Sequence, residues 1–254
     1  MRLAVIGSTG LVGSHVVAHA ESRGHAVTGI SKESDVDLLT GTGVEDALAG
    51  VETVVNVIQS PSLEQQASTE FFTTVAANLG QAATAAGVRR TVVLSIIGVD
   101  RVADQGDVGT GYDGYYLAKF AQEEATREHA PGAQVVRSAQ FHDIAGQAIG
   151  WGRAGDTTTV PDLLIEPIDV AAMVEVLVDV ATGDRSADIV EVAGPQAEQL
   201  TAMSTAFAQH EGDTVRVQPG AVGDAVRGGI LLPGPGAFLV GPTFNEWLTA
   251  RPKT

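Results

Sequence analysis

The sequence predicts an α/β fold built on a doubly wound parallel sheet. Two observations carry this reading. Apolar runs alternate with stretches of helical periodicity along the chain, the signature of strand–helix–strand units. Some of those runs, such as TVVLS at Thr91–Ser95, are apolar without alternation, as expected for strands covered on both faces. With 254 residues and a hydrophobic share of 44%, the chain can bury a sheet between two helical layers, so one domain over 1–254 is expected.

The elements follow in order. Leu3–Ile6 reads as the first strand and Leu11–Arg23 as a helix stopped by Gly24. His25–Ile30 is the second strand and Thr53–Ile58 a later one. Phe71–Ala86 is a long Ala-rich helix with Val75, Leu79, Ala82, Ala83 and Ala86 on one face, ended by Gly87 in the C′ position. After the strand at Thr91–Ser95, residues 98–114 are rich in Gly and Asp and show no periodicity, so an irregular connection is expected. A helix over Tyr115–Glu128 and a strand at Gln134–Arg137 come next. Asp169 caps a helix reaching Thr182, because its carboxylate can accept the free N–H groups of the first turn. Ile189–Val192 is a strand, Thr201–His210 and Phe244–Ala250 are helical, and LLPGPGAFLVGP between those helices reads as loop. About 141–165 and 195–254 are expected to form a small irregular C-terminal cap over the substrate end.

Composition excludes several classes. There is no cysteine, so disulfides, thiolate metal sites and cysteine nucleophiles are ruled out. The net charge of −16 disfavours nucleic acid and an anionic membrane surface as partners. No apolar run reaches the length of a membrane span, and Gly7 and Gly10 interrupt the first apolar stretch before it can form a signal sequence. A soluble, cytoplasmic protein acting on a small molecule is expected, with its oligomeric state left open.

Gly7-Ser8-Thr9-Gly10-Leu11-Val12-Gly13 lies directly between a strand and a helix. In that context the first glycine permits a tight turn, the second lets backbone approach a pyrophosphate, and the third lets helix and strand pack closely. The helix N-terminus offers free N–H groups to the phosphates, and Ser8 and Thr9 add hydroxyls. This places the chain in the Rossmann type and points to a dinucleotide. The second strand ends in Ile30-Ser31-Lys32-Glu33. An NAD site usually carries an acid there, whereas Ser31 and Lys32 suit a 2′-phosphate, so NADP(H) is expected in preference to NAD(H). Asp37, just before Leu38, is a candidate for the adenine amino group and equally a candidate turn residue.

Ser95 ends its strand at the carboxyl edge of the sheet, where α/β sites lie. Tyr115 and Lys119 are four apart on the next helix and share a face. Together they suit carbonyl reduction. The phenol can protonate the oxygen, the ammonium can move the phenol toward working pH, and the serine can hold the oxygen. Tyr116 is the neighbouring alternative.

GSTGLVG at 7–13, AAGVRRTVVLSIIGVD at 85–100, GYYLAKFAQEE at 114–124, VVRSAQFHD at 135–143 and EPIDVAAMV at 166–174 together resemble an atypical short-chain dehydrogenase/reductase of the NmrA-like, NAD(P)H-binding type. The resemblance implies a catalytic set of Ser95, Tyr115 and Lys119, with Lys119 also on the ribose. It implies that Val57, Ile58 and Gln59, after the fourth strand, line the cofactor. It places Ser138, Ala139, Gln140 and Phe141, after the sixth strand, near the nicotinamide. Two points weigh against direct transfer: the gap between Ser95 and Tyr115 is longer than in short members, and some members are redox sensors. The expected function is NAD(P)H-dependent oxidation or reduction of a small carbonyl, alcohol or activated alkene. The alternatives are a non-catalytic sensor and a cofactor-assisted isomerase or epimerase.

Other residues carry weaker signals. Phe141 and His142 stand where a substrate would contact the chain. His15 and His19 have helical metal-ligand spacing but no third ligand, so no metal is expected. Asn78 is a candidate support for Lys119, and Trp151 and Trp247 read as core or cap residues.

Overall fold

The computed structural model describes residues 1–105, 109 and 112–252. Strand β1 (Arg2–Ile6) leads into α1 (Leu11–Ser22), β2 (Ala26–Ile30), the one-turn α2 (Val44–Ala47), β3 (Thr53–Asn56) and α3 (Gln65–Ala85). Next come β4 (Arg90–Ile96), α4 (Val99–Gln105), α5 (Asp113–His129), β5 (Ala133–Ser138) and α6 (Ile144–Gly152). Strands β6 (Arg153–Ala154), β7 (Thr157–Pro161) and β8 (Leu164–Ile165) precede α7 (Val170–Thr182) and β9 (Ile189–Ala193). The last elements are β10 (Glu198–Gln199), α8 (Leu200–Glu211), β11 (Arg216–Gly220), α9 (Asp224–Arg227), β12 (Phe238–Leu239) and α10 (Phe244–Ala250).

The central sheet has seven strands in the order β12-β9-β5-β4-β3-β1-β2, and every pairing in it is parallel. The order in which strands are added reverses at β1, which pairs in parallel with β2 on one side and β3 on the other. Such a switch point opens a crevice beyond the carboxyl ends of the strands. The sheet is covered on both faces. One core packs Val5, Val55, Val92 and Val136 against Val16 of α1 and Met173 and Leu177 of α7. The other packs Ala4, Ile6 and Val54 against Leu48 and against Leu79 and Ala83 of α3. Asp169 caps α7 as expected, its carboxylate accepting from the Ala172 N–H at 3.1 Å.

Away from the main sheet, β11, β7 and β6 form a three-stranded sheet, and β8 pairs antiparallel with β10. With α6, α8, α9 and α10 they enclose a further core that includes Val160, Leu163, Ile165, Met203 and Leu231. That core also takes Val99 and Val102 of α4 and Tyr116 of α5, so these elements sit on the end of the sheet from which α4 and α5 emerge.

Four expectations need correction. Residues 98–114 contain α4, whereas 106–108 and 110–111 lie outside the described residues. The helix forms because Val99 and Val102 are buried, the Asp100 carboxylate meets Arg137 at 2.6 Å, and Arg101 donates to the Ile230 and Leu232 carbonyls at 2.9 and 2.7 Å. The stretch read as loop over 231–242 contributes β12, whose Phe238 and Leu239 pair with Val192 and Ala193. Among the described residues only three strands precede residue 57, so Val57–Gln59 follow a third strand and Ser138–Phe141 a fifth. Where another strand was implied after β2, the chain makes turns and the single turn of α2. Helix α3 starts at Gln65 rather than Phe71, because the Glu64 carboxylate accepts from the N–H groups of Gln66 (3.1 Å) and Ala67 (2.7 Å).

Candidate active site

A cleft of about 370 Å³ lies at the carboxyl ends of β1, β3, β4 and β5. It begins at the glycine turn. Gly7 has φ +88°, a left-handed value that favours glycine, and a Cβ there would stand 3.3 Å from the Ile58 backbone. A Cβ on Gly13 would stand 2.0 Å from the Gly7 carbonyl oxygen, so the third glycine is what lets α1 start against β1. A Cβ on Gly10 would meet only that same oxygen, at 3.4 Å. No side chain caps α1, which leaves its first-turn N–H groups available to an anion. This cradle fits a pyrophosphate. Gly10, Leu11 and Val12 line the cleft, with Val57, Ile58 and Gln59 nearby.

The Ser-Tyr-Lys set comes together in the same cleft, with Ser138, Ala139, Gln140 and Phe141 of the β5 edge. The Ser95 Oγ is buried and accepts or donates no hydrogen bond. Tyr115 Oη donates to Gln59 Oε1, and its ring stands edge-on to Phe72 at 6.0 Å. Lys119 Nζ donates to the Leu94 carbonyl at 2.7 Å and to Gln122 Oε1, and lies 4.9 Å above the Phe72 ring. Burial lowers Lys119 to about 7, opposed by the carboxylate of Glu123. Burial, with Tyr116 adding to it, pushes Tyr115 up to about 12. The expected lowering of the phenol by the ammonium is therefore absent in this state, because Lys119 is turned to Leu94 and Gln122 and is itself desolvated. Tyr116 is also buried and up at about 12, and its oxygen accepts from Gln140 Nε2 at 3.1 Å.

Other named residues fall outside the cleft lining. Gly7 and Gly13 lie beneath it, and Ser8 leans on β2, where a Cβ on Gly29 would stand 2.9 Å from its hydroxyl. Thr9 is exposed at the turn. The Ser31 hydroxyl donates to Glu33 at 2.9 Å, whereas Lys32 is exposed with no ion pair among the described residues. Asp37 is a turn residue: its carboxylate accepts from the N–H groups of Leu39 (2.8 Å) and Thr40 (3.2 Å), which hold it below the usual carboxylate range. Asn78 does not support Lys119. Its amide donates to the Leu38 and Leu39 carbonyls at 3.0 and 2.8 Å and pins that turn to α3.

His142 is not brought to the cleft. It is buried against Phe244 and Trp247, with Nε2 3.2 Å from the Pro242 carbonyl oxygen. Trp151 goes the other way. It lines the cleft mouth at 59% exposure and packs on Tyr112. Leu163 and Leu200 also reach the cleft. No local sequence signal marks them, because only the tertiary fold carries them there. Among the described residues, no group of three or more His, Asp or Glu side chains is placed to hold a metal.

Residues 7–180 match the family described as NAD(P)H-binding, and the chain belongs to that family. Its fold is similar to that of a short-chain dehydrogenase/reductase superfamily protein from Agrobacterium tumefaciens with bound NAD, which superposes with a TM-score of 0.67 at 18% identity, covering 98% of this chain and 95% of that one. A search of curated protein sequences found no match. Among solved structures, MoeE5 in complex with UDP-glucuronic acid and NAD superposes with a TM-score of 0.74 at 17% identity, covering 99% of this chain and 97% of that one. The dTDP-4-dehydrorhamnose reductase of Bacillus anthracis in complex with NADP gives 0.70 at 14% identity, covering 98% and 97%. The UDP-N-acetylglucosamine 4-epimerase of Bacillus cereus gives 0.70 at 15% identity, covering 98% and 94%. No helix among the described residues is long and apolar enough to cross a membrane.

Proposed function

We propose that the protein is an NADP(H)-dependent oxidoreductase that reduces a small carbonyl compound or activated alkene, or oxidises the corresponding alcohol. The observation that carries this is the convergence of Ser95, Tyr115 and Lys119 in one cleft that starts at the glycine turn. The turn at Gly7–Gly13 and the N-terminus of α1 would hold the pyrophosphate, and Lys32 the 2′-phosphate. Val57–Gln59 and Ser138–Phe141 would line the remainder. When bound there, the dinucleotide would supply or accept a hydride. Ser95 holds the substrate oxygen, because its hydroxyl is buried in the cleft without a partner. Tyr115 gives that oxygen a proton on reduction and takes it back on oxidation. Lys119 lines the same cleft as Tyr115, and its value of about 7 puts both of its protonation states within reach near neutral pH. Residues of about 141–165 and 195–252, apart from β12 in the central sheet, would form the cap, which supplies Ile144, Pro161, Leu163 and Leu200 to the cleft.

A pure sensor would need no proton donor, so turnover decides between the readings. NADPH consumption is measured with a panel of carbonyl compounds. Tyr115→Phe is expected to lower kcat by roughly a hundredfold or more, the scale of losing a positioned general acid, with NADPH affinity little changed. Tyr116→Phe is expected to be mild. If Tyr116→Phe is the inactive variant, the proton donor is Tyr116. If the parent binds NADPH and reduces nothing, the sensor reading replaces this one.

A further inference from the structure

We infer that the substrate is a neutral carbonyl compound bearing an aryl or branched alkyl arm, and that nucleoside-diphosphate sugars are excluded. The inference rests on the oxidoreductase reading only in placing the carbonyl at Ser95 and Tyr115.

Charge is the first argument. Among the described residues lining the cleft, Lys119 is the one charged side chain, and it is 5% exposed and held by Leu94 and Gln122. A substrate pyrophosphate brings its own negative charges, apart from those of the cofactor. With the N–H groups of the glycine turn taken by the cofactor, the described lining offers a second pyrophosphate no Arg and no Lys other than the held Lys119, and burying it unpaired is strongly unfavourable. A net charge of −16 adds long-range repulsion of an anion.

Shape is the second argument. Beyond Ser95 and Tyr115 the wall is built from Leu63, Tyr112, Ile144, Trp151, Leu163 and Leu200. Leu63 and Trp151 are 60% and 59% exposed, and the Tyr112 and Trp151 rings meet at 56° with centroids 5.8 Å apart. Large apolar side chains left open at a cleft mouth mark a surface that a ligand covers. At the inner end the buried, unpartnered Ser95 Oγ can donate to a carbonyl oxygen, and in the outer lining the exposed Gln147 is the one amide side chain among the apolar groups. The cleft therefore matches a molecule with one acceptor at one end and an apolar arm at the other.

The test is a calorimetric titration of the protein loaded with NADP+, which permits binding without reduction. The titrants are a panel of aryl and branched alkyl ketones that includes benzylacetone, its charged isostere hydrocinnamate, and UDP-glucose. At least one ketone should saturate the site, hydrocinnamate should bind ten times or more weaker than benzylacetone, and UDP-glucose should give no binding heat. Trp151→Ala should weaken the ketone about tenfold, the scale of one aromatic contact, and leave NADP+ affinity unchanged, which also shows that the exposed site tolerates the change. The inference is overturned if UDP-glucose or hydrocinnamate binds as tightly as the ketone, if no ketone binds, or if Trp151→Ala has no effect. Ketone binding in this pattern without NADPH consumption would uphold the ligand class and remove the oxidoreductase reading.

Discussion

Gly10 and Gly13 look alike in sequence, but the fold uses them differently. A methyl on Gly13 would collide with the Gly7 carbonyl, whereas one on Gly10 meets an ordinary contact and the phosphate path. Gly13→Ala should therefore destabilise the free protein by about 1–3 kcal/mol in urea unfolding. Gly10→Ala should leave unfolding within about 0.5 kcal/mol and weaken NADPH in a direct titration. Equal effects on both readouts would mean that the turn is structural only. Lys119 gives a second residue-scale prediction. Its folded value of about 7 lies below its ordinary value of 10.5. Between those two pH values the unfolded chain holds the extra proton, so stability gained from this group rises with pH across that window and is flat below it. Lys119→Met should raise stability most near pH 7, with the advantage shrinking toward pH 10, in paired urea titrations. An advantage that does not change with pH would show that the ammonium is not buried in solution.

At the scale of elements, α5 is tied to β5 and α4 by buried charge. Arg137 donates to both oxygens of Glu123 at 2.9 and 2.8 Å, and Arg127 reaches the same carboxylate at 3.1 Å. Glu123 is fully buried and Arg137 is 5% exposed, so removing one partner leaves an uncompensated charge. Glu123→Ala should cost about 3–5 kcal/mol in unfolding experiments. A loss below about 1 kcal/mol would mean that water reaches the pair. Elements with long-range periodicity or local punctuation were legible in the sequence: β1 and its turn, α7 with its Asp169 cap, and α10 as Phe244–Ala250. Helix α4 and strand β12 were not. Each forms because distant partners supply it, Arg137 and Ile230 for α4 and Val192–Ala193 for β12, whereas α10, no longer than α4, carries its own capping box at Thr243 and Glu246. The site divides the same way. Its Ser95, Tyr115 and Lys119 could be read from spacing, whereas the Gln59 contact of Tyr115, the Asn78 brace and the Leu163–Leu200 wall depend on residues far apart in the chain.

For the whole molecule, membership of the NAD(P)H-binding family makes folding and cofactor occupancy one equilibrium. At a hundred times its dissociation constant, a ligand of the folded state adds about 2.7 kcal/mol, so NADPH should raise Tm in a thermal melt. Lys32→Ala should reduce the NADPH shift and spare the NADH shift, because only NADPH carries the 2′-phosphate. No shift with either cofactor would contradict the pyrophosphate cradle, and equal losses would make Lys32 a bystander.

The sheet order has a consequence for synthesis. Strand β12 closes the edge at β9, yet its residues lie 46 positions after the ones they pair with, Phe238 with Val192 and Leu239 with Ala193. A nascent chain can assemble β2 through β9 while Phe238 is still inside the ribosome. For that interval the outer edge of β9 presents unpaired backbone groups, which another unfinished chain on the same messenger can meet. The yield of folded protein should thus be most sensitive to ribosome spacing and to chaperone access late in translation, after β9 has emerged and before β12 has.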